Sequence, residues 1–255
     1  MRTLAAGRHP DSFVAGGSVL HQAADSPRRS QDVDIFHDTV EALQRAFETD
    51  MATLHDAGFV AEPVGHVQPE FHRAIVRRAD QETKIEWVHD SAFRFFPVER
   101  DVELGWRLNF WDAATNKVLA LVGRQRIRDY LDCLYLHEYH LHLGALAWAA
   151  AGKDPGFTPD LIIDWAARGN RFRPEDLADV RLSRPVDLKA AKRVWLEALA
   201  ESRALIEKLP MDDLGCLYLN AAGQPTCPDP AAPGFSKLTR HFGSVKGAWP
   251  RIVEG

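Results

Sequence analysis

The chain has 255 residues, 45% of them hydrophobic and 26% charged, with a formal net charge of −5. This is ordinary globular composition, enough for one large domain or two modest ones, and its acidic balance argues against a general nucleic-acid coat while leaving room for a local basic patch. No apolar run approaches the roughly 20 residues that span a bilayer, residues 1–10 lack the apolar segment of a signal peptide, and three cysteines without CxxC spacing exclude a disulfide framework or zinc ribbon, so the expectation is a cytoplasmic chain with reduced thiols and no membrane partner.

In chain order, the first informative stretch is a short apolar run, Phe13-Val14-Ala15, that stops at Gly16-Gly17 and passes to Ser18, a residue suited to opening a helix. A polar loop follows, then a strand carrying Asp32 and Asp34. Alternate side chains of a strand share a face, so these carboxylates point one way and Val33 and Ile35 the other, into a core. Two neighbouring carboxylates repel unless a hard cation joins them, and Mg²⁺, which takes one or two carboxylates plus phosphate oxygens, suits the pair. The glycines supply the complementary half, since without a Cβ their N–H groups can approach an anion closely, and a helix starting near Ser18 turns its positive end the same way.

Val40, Leu43, Phe47, Met51 and Leu54 recur at steps of three and four and predict an amphipathic helix over 39–57, ended by Gly58. Residues 59–64, 71–78 and 83–89 read as strands, the last two forming a hairpin around Asp80-Gln81. In the third, Glu86 shares a face with Lys84 and is a candidate third carboxylate if its strand lies beside that of Asp32 and Asp34; the alternative is an exposed edge acid paired with Lys84. Residues 91–105 carry no assignable pattern, and 104–111 allow one more short strand. A helix is expected from Asp112, as its cap, with Val118, Leu119, Leu121 and Val122 around Lys117. A second is expected over 124–136, with Ile127, Leu131, Leu134 and Tyr135 inward. Helices are also predicted over 161–167 and over 188–209, the latter packing through Val194, Leu196, Leu199, Leu205 and Ile206. Residues 214–226 read as a hairpin turning at 220–223, and the tail from Gly234 as a surface wrap. His137, Glu138, His140 and His142 lack the HExxH spacing and read as surface or helix-end residues.

Gly16-Gly17-Ser18, the Arg28/Arg29–Ser30 approach to Asp32-x-Asp34, the strand acid Glu86, Asn116-Lys117-Val118-Leu119-Ala120-Leu121 and Arg128-Asp129-Tyr130-Leu131-Asp132 stand in one order over residues 13–136. In this the sequence resembles the nucleotidyltransferases of the DNA polymerase β-like superfamily, and within it the AbiEii-type toxins of abortive-infection and toxin–antitoxin systems. The resemblance implies an α+β fold, a small mixed sheet with helices over 1–122 as the catalytic domain, then a mostly helical domain with a hairpin and tail over 123–255. It implies that Gly16, Gly17, Ser18, Ser30 and Lys117 bind the nucleotide, and that Asp32, Asp34 and Glu86 hold Mg²⁺ (or Mn²⁺) in a two-metal site with ions about 3.5–4 Å apart. Asp129 would sit at the same site, steering Lys117 or the acceptor, and Asp132 would be structural. The bland alternatives are a solvated Lys117 and an Asp129 paired with Arg126 or Arg128. The implied chemistry is transfer of NMP from an NTP to an RNA, such as a tRNA acceptor end, or to a protein, with a cognate antitoxin as a possible partner. Arg73, Arg77, Arg78, Arg124, Arg126 and Arg128 would suit an RNA acceptor. Competing readings are a catalytically silent binding module of the same fold and a small-molecule nucleotidyltransferase acting on an antibiotic.

Overall fold

The computed structural model describes residues 2–23, 26–66 and 68–250. It opens with α1 (Arg2–Ala5), β1 (Ser12–Ala15), α2 (Gly17–Leu20), β2 (Asp32–His37), α3 (Val40–Asp56), β3 (Val60–Pro63), β4 (Phe71–Arg78) and β5 (Gln81–His89). The middle holds β6 (Phe93–Arg94), β7 (Glu99–Asp101), β8 (Gly105–Arg107), α4 (Phe110–Arg124), α5 (Ile127–Tyr139) and α6 (Leu143–Ala151). Then come α7 (Pro159–Ala166), α8 (Leu188–Ile206), β9 (Cys216–Leu219), β10 (Thr239–Phe242) and β11 (Ser244–Val245). The chain is α+β and divides into two compact units, the first comprising residues up to Ala92 with Pro97–Ala113, the second Phe93–Phe96 with the chain from Ala114 onward. The division falls inside α4, ahead of the boundary expected after residue 122.

The first unit is built on a mixed sheet of order β3-β4-β5-β2-β1-β8-β7, in which β2 runs parallel to β5 and β1 parallel to β8. One face is apolar because the alternate residues Val33 and Ile35, Ile85 and Trp87, and Ala74 and Val76 all point to it, against Leu43 and Leu54 of α3. The Thr39 hydroxyl caps α3 by accepting from the Ala42 N–H at 3.1 Å, and Gly58, with φ of 77°, follows its end. Buried Asp50 of α3 accepts from Trp87 Nε1 at 2.7 Å and pairs with Arg8, tying helix, sheet and N-terminal segment together. The β4–β5 turn is Ala79-Asp80, one residue earlier than expected, with Ala79 at φ 53°.

In the second unit, α6 is buried along its whole length, as its sequence LGALAWAAA requires. α8 packs against it and buries Leu188, Ala191, Trp195, Ala198, Leu199, Ser202 and Ile206, Trp195 reaching Tyr130 of α5 and the Ala166 carbonyl of α7, whereas Leu196, expected inside, is 57% exposed. Small residues let the two helices close: a Cβ on Gly144 would stand 2.9 Å from Ser202 Cα. The turn at 220–223 forms, and its return limb bonds back at a single bridge, Leu219 to Pro225, through Asn220 N–H to the Gln224 carbonyl and Thr226 N–H to the Tyr218 carbonyl, both 2.9 Å; the longer pairing of β9 is with β10. The tail from Gly234 is therefore not a mere wrap: it supplies β10, and β11 pairs with β6. Its last five residues, 251–255, lie outside the described residues.

Candidate active site

The geometry of the site begins at Gly16. β1 and β2 are antiparallel with Ala15 opposite Asp34, so the chain leaves the sheet immediately beside that carboxylate. Gly16 turns at φ 64° and ψ −146°, a conformation that side chains disfavour, and a Cβ there would overlap Asp34 Oδ2. Gly17 opens α2; a Cβ on it would lie 3.0 Å from Arg28 Nη2 and 3.1 Å from Ser30 Oγ. The glycine turn is thus lined on one side by a carboxylate and on the other by the buried guanidinium of Arg28. α2 is a single turn, so its dipole is small, and what it offers an anion is the backbone N–H groups at its start. Ser18 and Ser30, expected at the nucleotide, both donate their hydroxyls to the Asp32 carbonyl, at 3.0 and 2.9 Å, and so clamp the turn and the loop onto the start of β2.

The strand register assembles the acids. Parallel pairing sets Asp34 opposite Glu86 and Asp32 opposite Lys84, and on the far side of β5 Arg73 faces Glu86. Asp32, Asp34 and Glu86 therefore occupy one face of interior strands, opposite the apolar face, and Glu86 is not an edge residue. Lys84 Nζ lies 3.0 Å from both Asp32 Oδ2 and Glu86 Oε1, and Arg73 donates to Glu86 Oε1 at 2.8 Å. With side-chain exposures of 19% for Asp32, 16% for Glu86 and 26% for Lys84, the group is sheltered yet reachable. Among the described residues, no three His, Cys, Asp or Glu side chains converge tightly enough to form a ready-made metal cage. The donor set nevertheless fits Mg²⁺, which needs only one or two carboxylates when a substrate phosphate completes its shell.

Lys117 and Asp129 belong to the second unit. Lys117 Nζ, on α4, reaches Asp129 Oδ1 at 2.9 Å and Asp132 Oδ2 at 3.2 Å, both on one face of α5. Arg124 grips Asp129 with two further bonds, Nε to Oδ2 at 2.7 Å and Nη2 to Oδ1 at 2.9 Å. All but Arg124 are nearly or fully buried. Burial raises the pKa of Asp129, but Arg124 and Lys117 together outweigh it and hold the carboxyl below its usual range. Asp129 thus pairs with Lys117 and Arg124. A fork-shaped turn with Gln125 at φ 50° separates α4 from α5, where one helix was expected to begin at Arg124. Asn109, not Asp112, caps α4, accepting from the Trp111 N–H at 2.9 Å. The buried residues of α5 are Asp129, Tyr130, Leu131, Asp132, Cys133, Leu134 and Leu136, so Leu131 and Leu134 lie inward as expected, Ile127 and Tyr135 are half-buried, and the inner face also carries two charges that periodicity did not show. His137 and His142 accept from the Leu143 and Gly144 N–H groups at 3.2 and 3.1 Å and serve as caps for α6.

No family model and no curated protein matches the chain. Solved structures do. JHP933 from Helicobacter pylori is 18% identical with a TM-score of 0.51, covering 81% of this chain and 88% of that one. MenT4, a nucleotidyltransferase toxin from Mycobacterium tuberculosis, is 17% identical with a TM-score of 0.53, covering 83% of this chain and 82% of its own. The chain has a nucleotidyltransferase fold. The sequence pointed to the glycine turn, the acids, Arg28 beside Ser30 and Lys84 as a partner of Glu86; it named Arg73 only as part of a basic approach, because its pairing with Glu86 depends on hairpin register.

Proposed function

We propose that the protein is a metal-dependent nucleotidyltransferase that moves NMP from an NTP to an acceptor oxygen, with pyrophosphate leaving. The observation that carries this reading is the contact of Gly16 with Asp34: the turn that would seat phosphates and the carboxylates that would hold a divalent ion adjoin in one unit. Bound Mg²⁺ would neutralise the α-phosphoryl oxygens and align the attacking oxygen. Asp32 and Asp34 would hold it, with Glu86 on the neighbouring strand as the third carboxylate. The N–H groups of Gly17 and Ser18 would bind phosphate oxygens, with the Arg28 guanidinium beside them, while Ser18 and Ser30 fix the turn through the Asp32 carbonyl. Catalysis of this kind is positional and electrostatic and requires no covalent nucleophile. For Lys117 and Asp129 the assignment to phosphates and acceptor rests on the resemblance to AbiEii-type toxins.

The likeness to a nucleotidyltransferase toxin supports a toxin role, with a cognate antitoxin as partner and a tRNA acceptor end or a protein as acceptor. The test is transfer of label from each α-³²P NTP to bulk tRNA and to lysate protein with Mg²⁺ or Mn²⁺. Asp34→Asn should cut incorporation at least about 100-fold, since a metal-held carboxylate supplies several kcal/mol to the transition state. No incorporation from any of the four NTPs would overturn the reading.

A further inference from the structure

Lys84 has a place in the site that the expected chemistry does not assign. It projects from β5 on the same face as Glu86, opposite Asp32 in the register, and its ammonium bridges one oxygen of each at 3.0 Å. A cation already sits between two of the three carboxylates expected to bind metal. The two cations differ: of the three site acids Arg73 is bonded to Glu86, its guanidinium lying over the Phe71 ring, whereas Lys84 spans Asp32 and Glu86 with a compact charge on a flexible stem that remains partly exposed.

The two occupants compete for the same oxygens. The ammonium holds Asp32 Oδ2 and Glu86 Oε1 at 3.0 Å, while Mg²⁺ demands about 2.0–2.1 Å, so a metal that takes either oxygen displaces the ammonium from it and one that takes the others is still repelled by its charge. A lysine displaced from Asp32 and Glu86 needs another anion close by. In a nucleotidyltransferase that anion is the nucleotide's own phosphate. We propose that Lys84 is the resident counter-ion of the acidic face, occupying Asp32 and Glu86 until metal and nucleotide arrive together and then transferring its charge to the phosphates. The proposal rests on the nucleotidyltransferase reading and adds to it a positioning residue. Lys84 weakens binding of metal alone, strengthens binding of the metal–nucleotide pair, and so couples the two.

The experiment measures Mn²⁺ binding to the full chain without nucleotide, from the electron paramagnetic resonance signal of the free ion, for wild type, Lys84→Met, Lys84→Gln and Arg73→Met. Each variant removes one positive charge from the face, but only the Lys84 changes vacate the bridge. Both Lys84 variants should bind Mn²⁺ about tenfold or more tightly than wild type, since the ion no longer displaces an ammonium shared by two carboxylates, and Arg73→Met, which leaves that bridge in place, should bind within about threefold of it. Unchanged or weaker Mn²⁺ binding in the Lys84 variants, or an equal gain in Arg73→Met, would overturn the proposal. A second arm measures uptake of an equimolar mixture of the four α,β-methylene NTPs by equilibrium dialysis at saturating Mn²⁺. Wild type should retain nucleotide, Asp34→Asn should not, and Lys84→Met should retain it at least about tenfold more weakly. If wild type retains none, the nucleotidyltransferase reading fails and takes this proposal with it. If wild type retains nucleotide and Lys84→Met does so equally well, the role of Lys84 alone is lost.

Discussion

Gly16 and Gly17 are adjacent, yet the structure gives them different duties. At Gly16 the backbone has φ of 64° and a side chain would meet Asp34 Oδ2, so Gly16→Ala must strain the turn, displace the carboxylate, or both. It should lower stability by about 1–3 kcal/mol, the cost of holding a non-glycine residue in such a region, and abolish nucleotide uptake. Gly17 has ordinary backbone geometry, and the groups near a new Cβ are the ends of the Arg28 and Ser30 side chains, 3.0 and 3.1 Å away. Those ends can shift by a few tenths of an ångström, so Gly17→Ala should melt close to wild type while binding NTP more weakly, because the methyl group occupies the space beside the guanidinium. Thermal melts paired with dialysis of the α,β-methylene NTPs separate the two. Equal uptake by wild type and Gly17→Ala would remove Gly17 from the phosphate site.

The α4–α5 pair shows how a charged cluster shapes an element. Lys117 is 6% exposed in its side chain and Asp129 and Asp132 are fully buried, so removing the ammonium takes a shared counter-charge from two carboxylates in a poorly solvated interior, Asp129 keeping its bonds from Arg124. Lys117→Met should cost about 3–5 kcal/mol, the usual penalty for breaking a buried pair from one side, and adding Asp132→Asn should recover part of it by removing one of the two negative charges. Urea midpoints of the two variants check this; a double variant no more stable than the single would show that Lys117 and Asp132 do not act as a pair. This cluster also marks the limit of what periodicity reveals. α3, β4 and β5 were legible because each buries one apolar face against a polar one, and Asp32 and Asp34 because parity alone puts them together. The inner face of α5 was only half legible, through Leu131 and Leu134, since its buried residues include two aspartates whose partners, Lys117 and Arg124, both come from α4. α6 escaped notice for the opposite reason, being apolar on every side and so without a period. Residues 91–105 were opaque because β6 and β7 are two and three residues long, too short to establish alternation, and because β6 pairs with β11, far along the chain, whereas β8 lies within the short strand expected over 104–111.

Across the whole molecule, two histidines give acid sensitivity a defined window. His37, fully buried in the first unit, donates from Nδ1 to the Val88 carbonyl at 3.3 Å and accepts at Nε2 from Ser12, whose oxygen also accepts from Arg8. Burial, reinforced by the Arg8 charge, pushes its pKa from 6.5 down to about 4. His137 in the second unit is lowered too, by burial and then by His142, while its Nδ1 accepts the Leu143 N–H at the start of α6. For both, the unfolded chain binds the proton more readily than the folded one. Their stabilisation is therefore complete above the unfolded pKa of about 6.5 and is lost as pH falls toward the folded value. For His37 that loss amounts to about 3 kcal/mol by pH 4. Asp129 and Asp101 act below this window: both are lowered from 3.8, so the stability they confer is present above that value and is lost as the pH falls through it. Hydrogen-exchange mass spectrometry at pH 7 and pH 5 should show loss of protection in peptides of both units. His37→Gln, which carries no proton to gain, should flatten the dependence in β1, β2 and β5 while leaving it intact around α6. Protection in the first unit that falls equally between pH 7 and pH 5 in wild type and His37→Gln would show that His37 is not what sets its acid response.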